Sequence, residues 1–235
     1  MQSARPAEAD RRRNRAMLAM DGKAPPAWRC LGTVLVNMSL FQRRRRYVLA
    51  ALILAAFAAL LGISPAGSHR IHEAVEAGGL ILILLGIAGR LWCTLYIGGR
   101  KNVEIVRSGP YSITRNPLYF FSTLAAGGVG AQSGSLTLGV IFLLASWAAF
   151  SIVIRREETY LAGLFGPAYD AYRRSVPRFW PDPRLFKDQQ TLSVRTGRLY
   201  ATLLDGLVFL VAIPAFETTE HLQATGVLDP VLWLY

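Results

Sequence analysis

Residues 107–119 read RSGPYSITRNPLY, a polar stretch rich in Pro and Gly that lies between two long apolar runs. Gly109-Pro110 and Asn116-Pro117 are turn signals. Pro117 suits the first position of a helix, where its missing N–H would be unpaired anyway. Asn116 before it is placed to cap that helix with its side chain. The apolar run 118–131 then leads through a short turn, 132–135, into a second run, 136–154, which ends on RREE at 155–158. Two apolar runs joined by so short a turn make a helical hairpin. Its open ends lie side by side, which brings Asn116–Tyr119 next to Arg155–Glu158.

The surroundings of this hairpin set the class. The 235-residue chain is 52% hydrophobic and 17% charged, where a soluble domain carries about a quarter charged residues. The expected fold is all-α: an integral membrane bundle of about five transmembrane helices with an interfacial N-terminal helix and a cytoplasmic cofactor-binding segment. The expected spans are 47–63, 75–98, 118–131, 136–154 and 199–216, judged against the ~20 apolar residues needed to cross a bilayer. Residues 28–41 are too short to span and are read as the interfacial helix. Residues 1–26 are read as a disordered cytoplasmic tail, and 27–235 as one membrane-embedded domain with its core at 97–181.

The net charge of +11 is assigned to the positive-inside bias and not to nucleic-acid binding, because the basic residues flank apolar spans. Arg43–Arg46, Arg100, Lys101, Arg155, Arg156, Arg173 and Arg174 fall on one side. The N-terminus is therefore expected in the cytoplasm, with the protein in the cell inner membrane. Cys30 and Cys93 form no metal or disulfide spacing. His69 and His72 make an HxxH pair within 64–74, read as a solvated far-side loop, and no metal is expected. Arg90, inside the second span, is expected to snorkel. Residues 175–198 are read as a basic, Pro-rich linker.

At the open ends of the hairpin, Tyr111, Tyr119 and the Glu157-Glu158 pair converge. One account is an ion-pair cluster of the carboxylates with Arg115, Arg155 and Arg156. The other is a pocket for a zwitterionic ligand with a flat ring. Helix-start N–H groups suit a carboxylate, a Glu suits an ammonium, and Tyr faces suit a cation.

The order GPYSITRNPLY, hairpin, then EETYLAGLFGPAYDAYRRSVPRFWP over residues 97–181 resembles the isoprenylcysteine carboxyl methyltransferase family and the related phospholipid methyltransferases. The resemblance implies a membrane methyltransferase using S-adenosyl-L-methionine, with cofactor entering from the cytoplasm and a lipophilic acceptor from the bilayer. Carried over by position, the cofactor contacts are Val103, Glu104, Ile105, Val106, Tyr111, Asn116, Pro117, Leu118, Tyr119 and Glu157. Three positions depart from the family pattern. Asn116 stands where a His is usual, Val103 replaces another His, and Val153 replaces an Arg directed at the substrate. The last change disfavours an acceptor carboxylate, which should meet a cation. Glu158 is then the candidate proton acceptor, and Arg156 and Arg173 are candidates for binding an anionic group of substrate. Carboxylate, thiol, amine and hydroxyl acceptors remain open. The competing readings are an NADPH-dependent membrane reductase of the sterol or steroid reductase type, and a non-catalytic scaffold whose polar turn only caps helices.

Overall fold

In a computed structural model, residues 69–100 and 102–228 are described, with the backbone of 63–65 and 232–234. The expected tail, the interfacial helix and the first span, apart from its last residue, lie outside the described residues. The remainder is helical: α1 (His69–Ile97), α2 (Pro110–Ile113), α3 (Pro117–Ala131), α4 (Leu136–Phe165), α5 (Pro167–Ser175), α6 (Thr196–Leu207) and α7 (Ala212–Ala224). Two three-residue strands, β1 (Ile63–Pro65) and β2 (Leu232–Leu234), pair in parallel, Ile63 opposite Leu232.

α1, α4 and the continuous stretch Thr196–Ala224 are each long and apolar enough to cross a membrane. α3 has 15 residues and spans about 22 Å at 1.5 Å per residue, short of a ~30 Å hydrocarbon core. It lies between α1 and α4 and packs along both.

Small residues set that packing. A Cβ added at Gly86 would stand 2.6 Å from Ala125 Cβ and 2.8 Å from Phe121 O, and one at Gly128 would stand 2.5 Å from Gly79 O. Gly79, Ile83, Gly86 and Cys93 are all buried and recur at helical spacing along one face of α1. On the other side of α3, a Cβ at Gly130 would meet Leu138 O at 2.6 Å. Lipid tails are as apolar as the helices, so association here depends on close van der Waals fit rather than on escape from water. Ser135 caps α4, its Oγ accepting from Leu138 N.

The structure corrects several expectations. Residues 69–74 are not loop: α1 begins at His69. The helix of the last expected span, 199–216, continues to Ala224. The stretch Val208–Val211 tightens to a 3-10 turn just before Pro214, which has no N–H to offer the Leu210 carbonyl. Arg90 does not snorkel. Its guanidinium donates to Ser122 Oγ on α3 and lies 5.8 Å over the Phe209 ring. α4 runs without a break through Phe165, and the interruption comes at Gly166, at φ +54, before Pro167.

Residues 176–189 are not a free linker. They lie along the 108–116 turn through backbone bonds. Arg115 N donates to Pro177 O (2.9 Å), Asp182 N to Ile113 O (2.9 Å) and Gly109 N to Lys187 O (2.7 Å). Tyr96 donates to Asp188 Oδ1 at 2.7 Å, and with the Gln189 N–H it holds that carboxyl below its ordinary range.

Candidate active site at the open end of the α3–α4 hairpin

The two tips meet. Tyr119, in the first turn of α3, donates to Glu157 Oε2 on α4 at 2.9 Å, and its ring lies 5.1 Å from that of Phe150. Both residues are half-buried. The turn before α3 is a short helix. Gly109, at φ +58 and with the Tyr96 ring where a Cβ would be, turns the chain into Pro110. Tyr111 then points into a core cluster with Cys93, Tyr96 and Val106, flanked by Leu118.

The Tyr111 hydroxyl is buried and has no hydrogen-bond partner among the described residues. Burial, and then the neighbouring Cys93, Tyr172, Glu157 and Tyr119, pushes its pKa well above the usual phenol range. It is therefore a neutral donor at any working pH. Its own carbonyl accepts from the buried Tyr172 hydroxyl at 2.7 Å. Tyr172 is also raised, by burial, and Tyr169 is pushed up to about 12 by burial and then by Glu158.

Glu158 faces a different way from Glu157. It is buried, and both of its oxygens are engaged. Oε1 lies 3.0 Å from Arg115 Nε and accepts from Asn116 Nδ2 at 3.4 Å, while Oε2 accepts from Arg178 Nε at 3.0 Å. Arg115 reaches on to Arg173 O at 2.6 Å. Asn116 does not cap α3 with its side chain, contrary to expectation. Its Nδ2 instead donates to Arg178 O at 2.9 Å and to Glu158, while Pro117 takes the first helical position as expected. The amide is thereby oriented by its Nδ2, which meets a carbonyl and a charged acceptor, and not by its Oδ1, the atom a helix cap would use.

The carried-over residues thus divide. Tyr111, Asn116, Pro117, Leu118, Tyr119 and Glu157 gather at the hairpin tips. Val106 joins them through the Tyr111 core, with Ile105 half-buried beside it. Val103 is 75% exposed and Glu104 is paired with Arg100 at 3.1 Å on an exposed turn. Arg156 is exposed on α4, and Arg173 is exposed on α5, 3.6 Å from Asp170. The sequence reading missed Arg178 and the buried hydroxyl of Tyr172. Both lie in the stretch AYRRSVPRF, whose place in the resemblance was the available signal.

Beside the tips runs an apolar groove between α3 and α4, lined by Phe120, Leu124, Leu143, Trp147, Phe179 and Trp180 among others, with no charged side chain.

The phospholipid methyltransferase family model matches residues 77–168, which hold the paired tips. The chain is 38% identical over 154 residues to a nickel-cobalt-cadmium resistance protein, NccN, of Alcaligenes xylosoxydans xylosoxydans, covering 64% of this chain and 72% of that one. It is 36% identical over 156 residues to a cobalt-zinc-cadmium resistance protein, CzcN, of Cupriavidus metallidurans, covering 66% and 72%. It is also 36% identical over 83 residues to the protein-S-isoprenylcysteine O-methyltransferase of Schizosaccharomyces pombe, covering 34% and 35%. No solved structure matches. The chain belongs to the isoprenylcysteine carboxyl methyltransferase and phospholipid methyltransferase-like family of membrane methyltransferases.

Proposed function

We propose that the protein transfers a methyl group from S-adenosyl-L-methionine to a lipophilic or membrane-associated acceptor at the open end of the α3–α4 hairpin. The observation that carries this reading is the Tyr119–Glu157 pair standing beside the buried, unpartnered Tyr111 hydroxyl. Such a hydroxyl is costly unless a ligand completes it. The donor set also fits the cofactor: a carboxylate for its ammonium, aromatic rings for its positive charge and a neutral phenol for a polar atom. When bound, the cofactor supplies an activated methyl group on a sulfonium.

The chain's own residues then bind, orient and exclude water. Glu157, held by Tyr119, anchors the ammonium, and Tyr111, Asn116, Pro117 and Leu118 form the wall, with Ile105 and Val106 behind. We keep Val103 and Glu104 out of this set because of their exposure. Glu158 is better placed as a positioning residue than as a proton acceptor. Its oxygens are occupied by Arg115, Arg178 and Asn116, and together these order the 114–116 turn. Arg156 and Arg173 remain candidates for an anionic group of the acceptor. The uncharged groove beside the tips favours a hydrophobic acceptor arriving from the bilayer. Two relatives are named for resistance to cobalt and cadmium among other metals, and on that ground we assign the methylation a role in tolerance of such metals.

Calorimetric titration of the purified protein tests the cofactor. S-adenosylhomocysteine is expected to bind and NADPH is not. Binding of NADPH alone would favour a reductase, and binding of neither would favour a scaffold.

We also place the hairpin tips in the cytoplasm of a cell whose inner membrane holds the protein, from the concentration of Arg at that end. Thr225 and Arg174 are exposed at opposite ends. In a Cys30→Ser background, Thr225→Cys is expected to react with an impermeant maleimide added to whole cells, and Arg174→Cys is not. The reverse pattern would invert the topology.

A further inference from the structure

At the end of the bundle opposite the hairpin tips, the structure gathers a side-chain cluster that methyl transfer does not use. His72 and Glu76 lie one turn apart on α1, and Glu220 comes from α7, 148 positions further along the chain than His72. His72 Nε2 lies 3.2 Å from Glu76 Oε1 and 3.2 Å from Glu220 Oε1. One donor atom from each residue falls within 4.8 Å of the others. Ligands at about 2.0–2.2 Å from a shared ion stand roughly 3.0–3.5 Å apart along the edges of a tetrahedron or octahedron. The two histidine–carboxylate separations fall in that range.

The cluster is poorly satisfied as a set of ion pairs. Glu220 Oε1 and His72 Nδ1 are buried without a hydrogen-bond partner among the described residues. Nε2 of the same imidazole is the nearest cationic group to Glu220 among the described residues, at 3.2 Å. Among the described residues no Lys or Arg pairs with Glu76 or Glu220, in contrast to Glu158 with its two guanidiniums. Glu217 adds further negative charge near Glu220. One imidazole carries at most a single positive charge against these carboxylates, whereas a dication carries two.

The scaffold also holds the imidazole in place. The α3–α4 turn packs Gly134, at φ +70, directly on the His72 ring at Nδ1, where any Cβ would collide. Gln132 Nε2 donates to Glu76 O at 2.8 Å. The nitrogen facing the carboxylates is thus Nε2. The three ligand side chains are part-exposed, at 17, 33 and 39%, which leaves an entry path for an ion and room for water as a further ligand.

We propose that His72, Glu76 and Glu220 bind one divalent first-row transition ion, such as Co²⁺, Ni²⁺ or Zn²⁺, clamping the start of α1 to the end of α7. One imidazole with two carboxylates suits these borderline ions better than the softer thiophilic ones.

The test uses full-length, tag-free protein in detergent micelles, stripped of metal and titrated with Co²⁺ while its visible absorption is followed. One Co²⁺ per chain is expected, displaced by an excess of Zn²⁺ competing for the same ligands. His72→Ala and Glu220→Gln are each expected to weaken binding about tenfold or more. His69→Ala is the internal control: His69 faces Glu73 at 3.6 Å with the same spacing on an open surface, 85% and 63% exposed, and its loss is expected to change nothing. Glu76→Gln, a near-isosteric change, serves if His72→Ala does not fold. Co²⁺ is also expected to raise the melting temperature of the wild type and not that of Glu220→Gln. A wild type with no cobalt spectrum, or variants that bind Co²⁺ as the wild type does, would overturn the site. Cofactor binding plays no part in this readout, so its result is independent of the methyltransferase reading.

Discussion

Glu157→Gln is expected to weaken S-adenosylhomocysteine binding about 10- to 100-fold, the range set by losing a hydrogen bond to a charged group, roughly 1.5–3 kcal/mol. The substitution preserves size and can still accept from Tyr119. What it removes is the negative charge proposed to meet the cofactor's ammonium. Tyr119→Phe separates positioning from binding. It deletes only the hydroxyl that donates to Glu157 at 2.9 Å and leaves the ring against Phe150. A neutral hydrogen bond contributes about 1 kcal/mol, so the affinity should fall only a few-fold. Both effects are read by calorimetry at matched melting temperatures. If Glu157→Gln binds as tightly as the wild type, the carboxylate has no part in the site.

Glu158→Ala should act on stability instead. Glu158 is 4% exposed and answers Arg115 and Arg178. Arg115 is 8% exposed and Arg178 45%, so the loss strands the Arg115 charge above all, and removing one member of a buried ion pair costs about 3–5 kcal/mol. For a chain of this size that lowers the melting temperature by roughly 6–20 °C. The loss should be felt first where the 114–116 turn meets residues 177–182, because Asn116 and Arg178 both lean on this carboxylate. Protection of the Arg115 amide, bonded to Pro177 O, should fall with it in hydrogen exchange. A melting temperature within a degree or two of the wild type would show that the pair is solvated and leave the turn without its anchor.

These two neighbouring glutamates show where sequence reasoning reached its limit. That 157 and 158 approach 116–119 was legible, because a short turn between apolar runs permits one arrangement of the ends. Which of the two faces the pocket was not, because successive residues on a helix point about 100° apart and the rotation of α4 depends on how it packs on α3. The Asn116-Pro117 pair was legible as a helix start, but the Asn amide is turned so that its Nδ2 donates to Arg178 O and Glu158 instead of its Oδ1 accepting from the helix start. Arg178 was hidden for a related reason. In a basic stretch one guanidinium looks like another until the backbone of 176–189 is seen bonded along 108–116.

Composition and run lengths were enough to read a helical membrane protein, since hydrophobic length and turn chemistry are local properties of the sequence, and the resemblance carried by the GPY, NPLY and Glu-Glu order pointed to membrane methyltransferases. Tertiary structure alone decided that Glu158 is enclosed by Arg115, Asn116 and Arg178 while Glu157 faces Tyr119. It also decided that Arg90 turns inward, and that His72 of the first described helix meets Glu220 of the last. Such pairings depend on helix rotation and on distances between residues remote in the chain, and no local pattern encodes them.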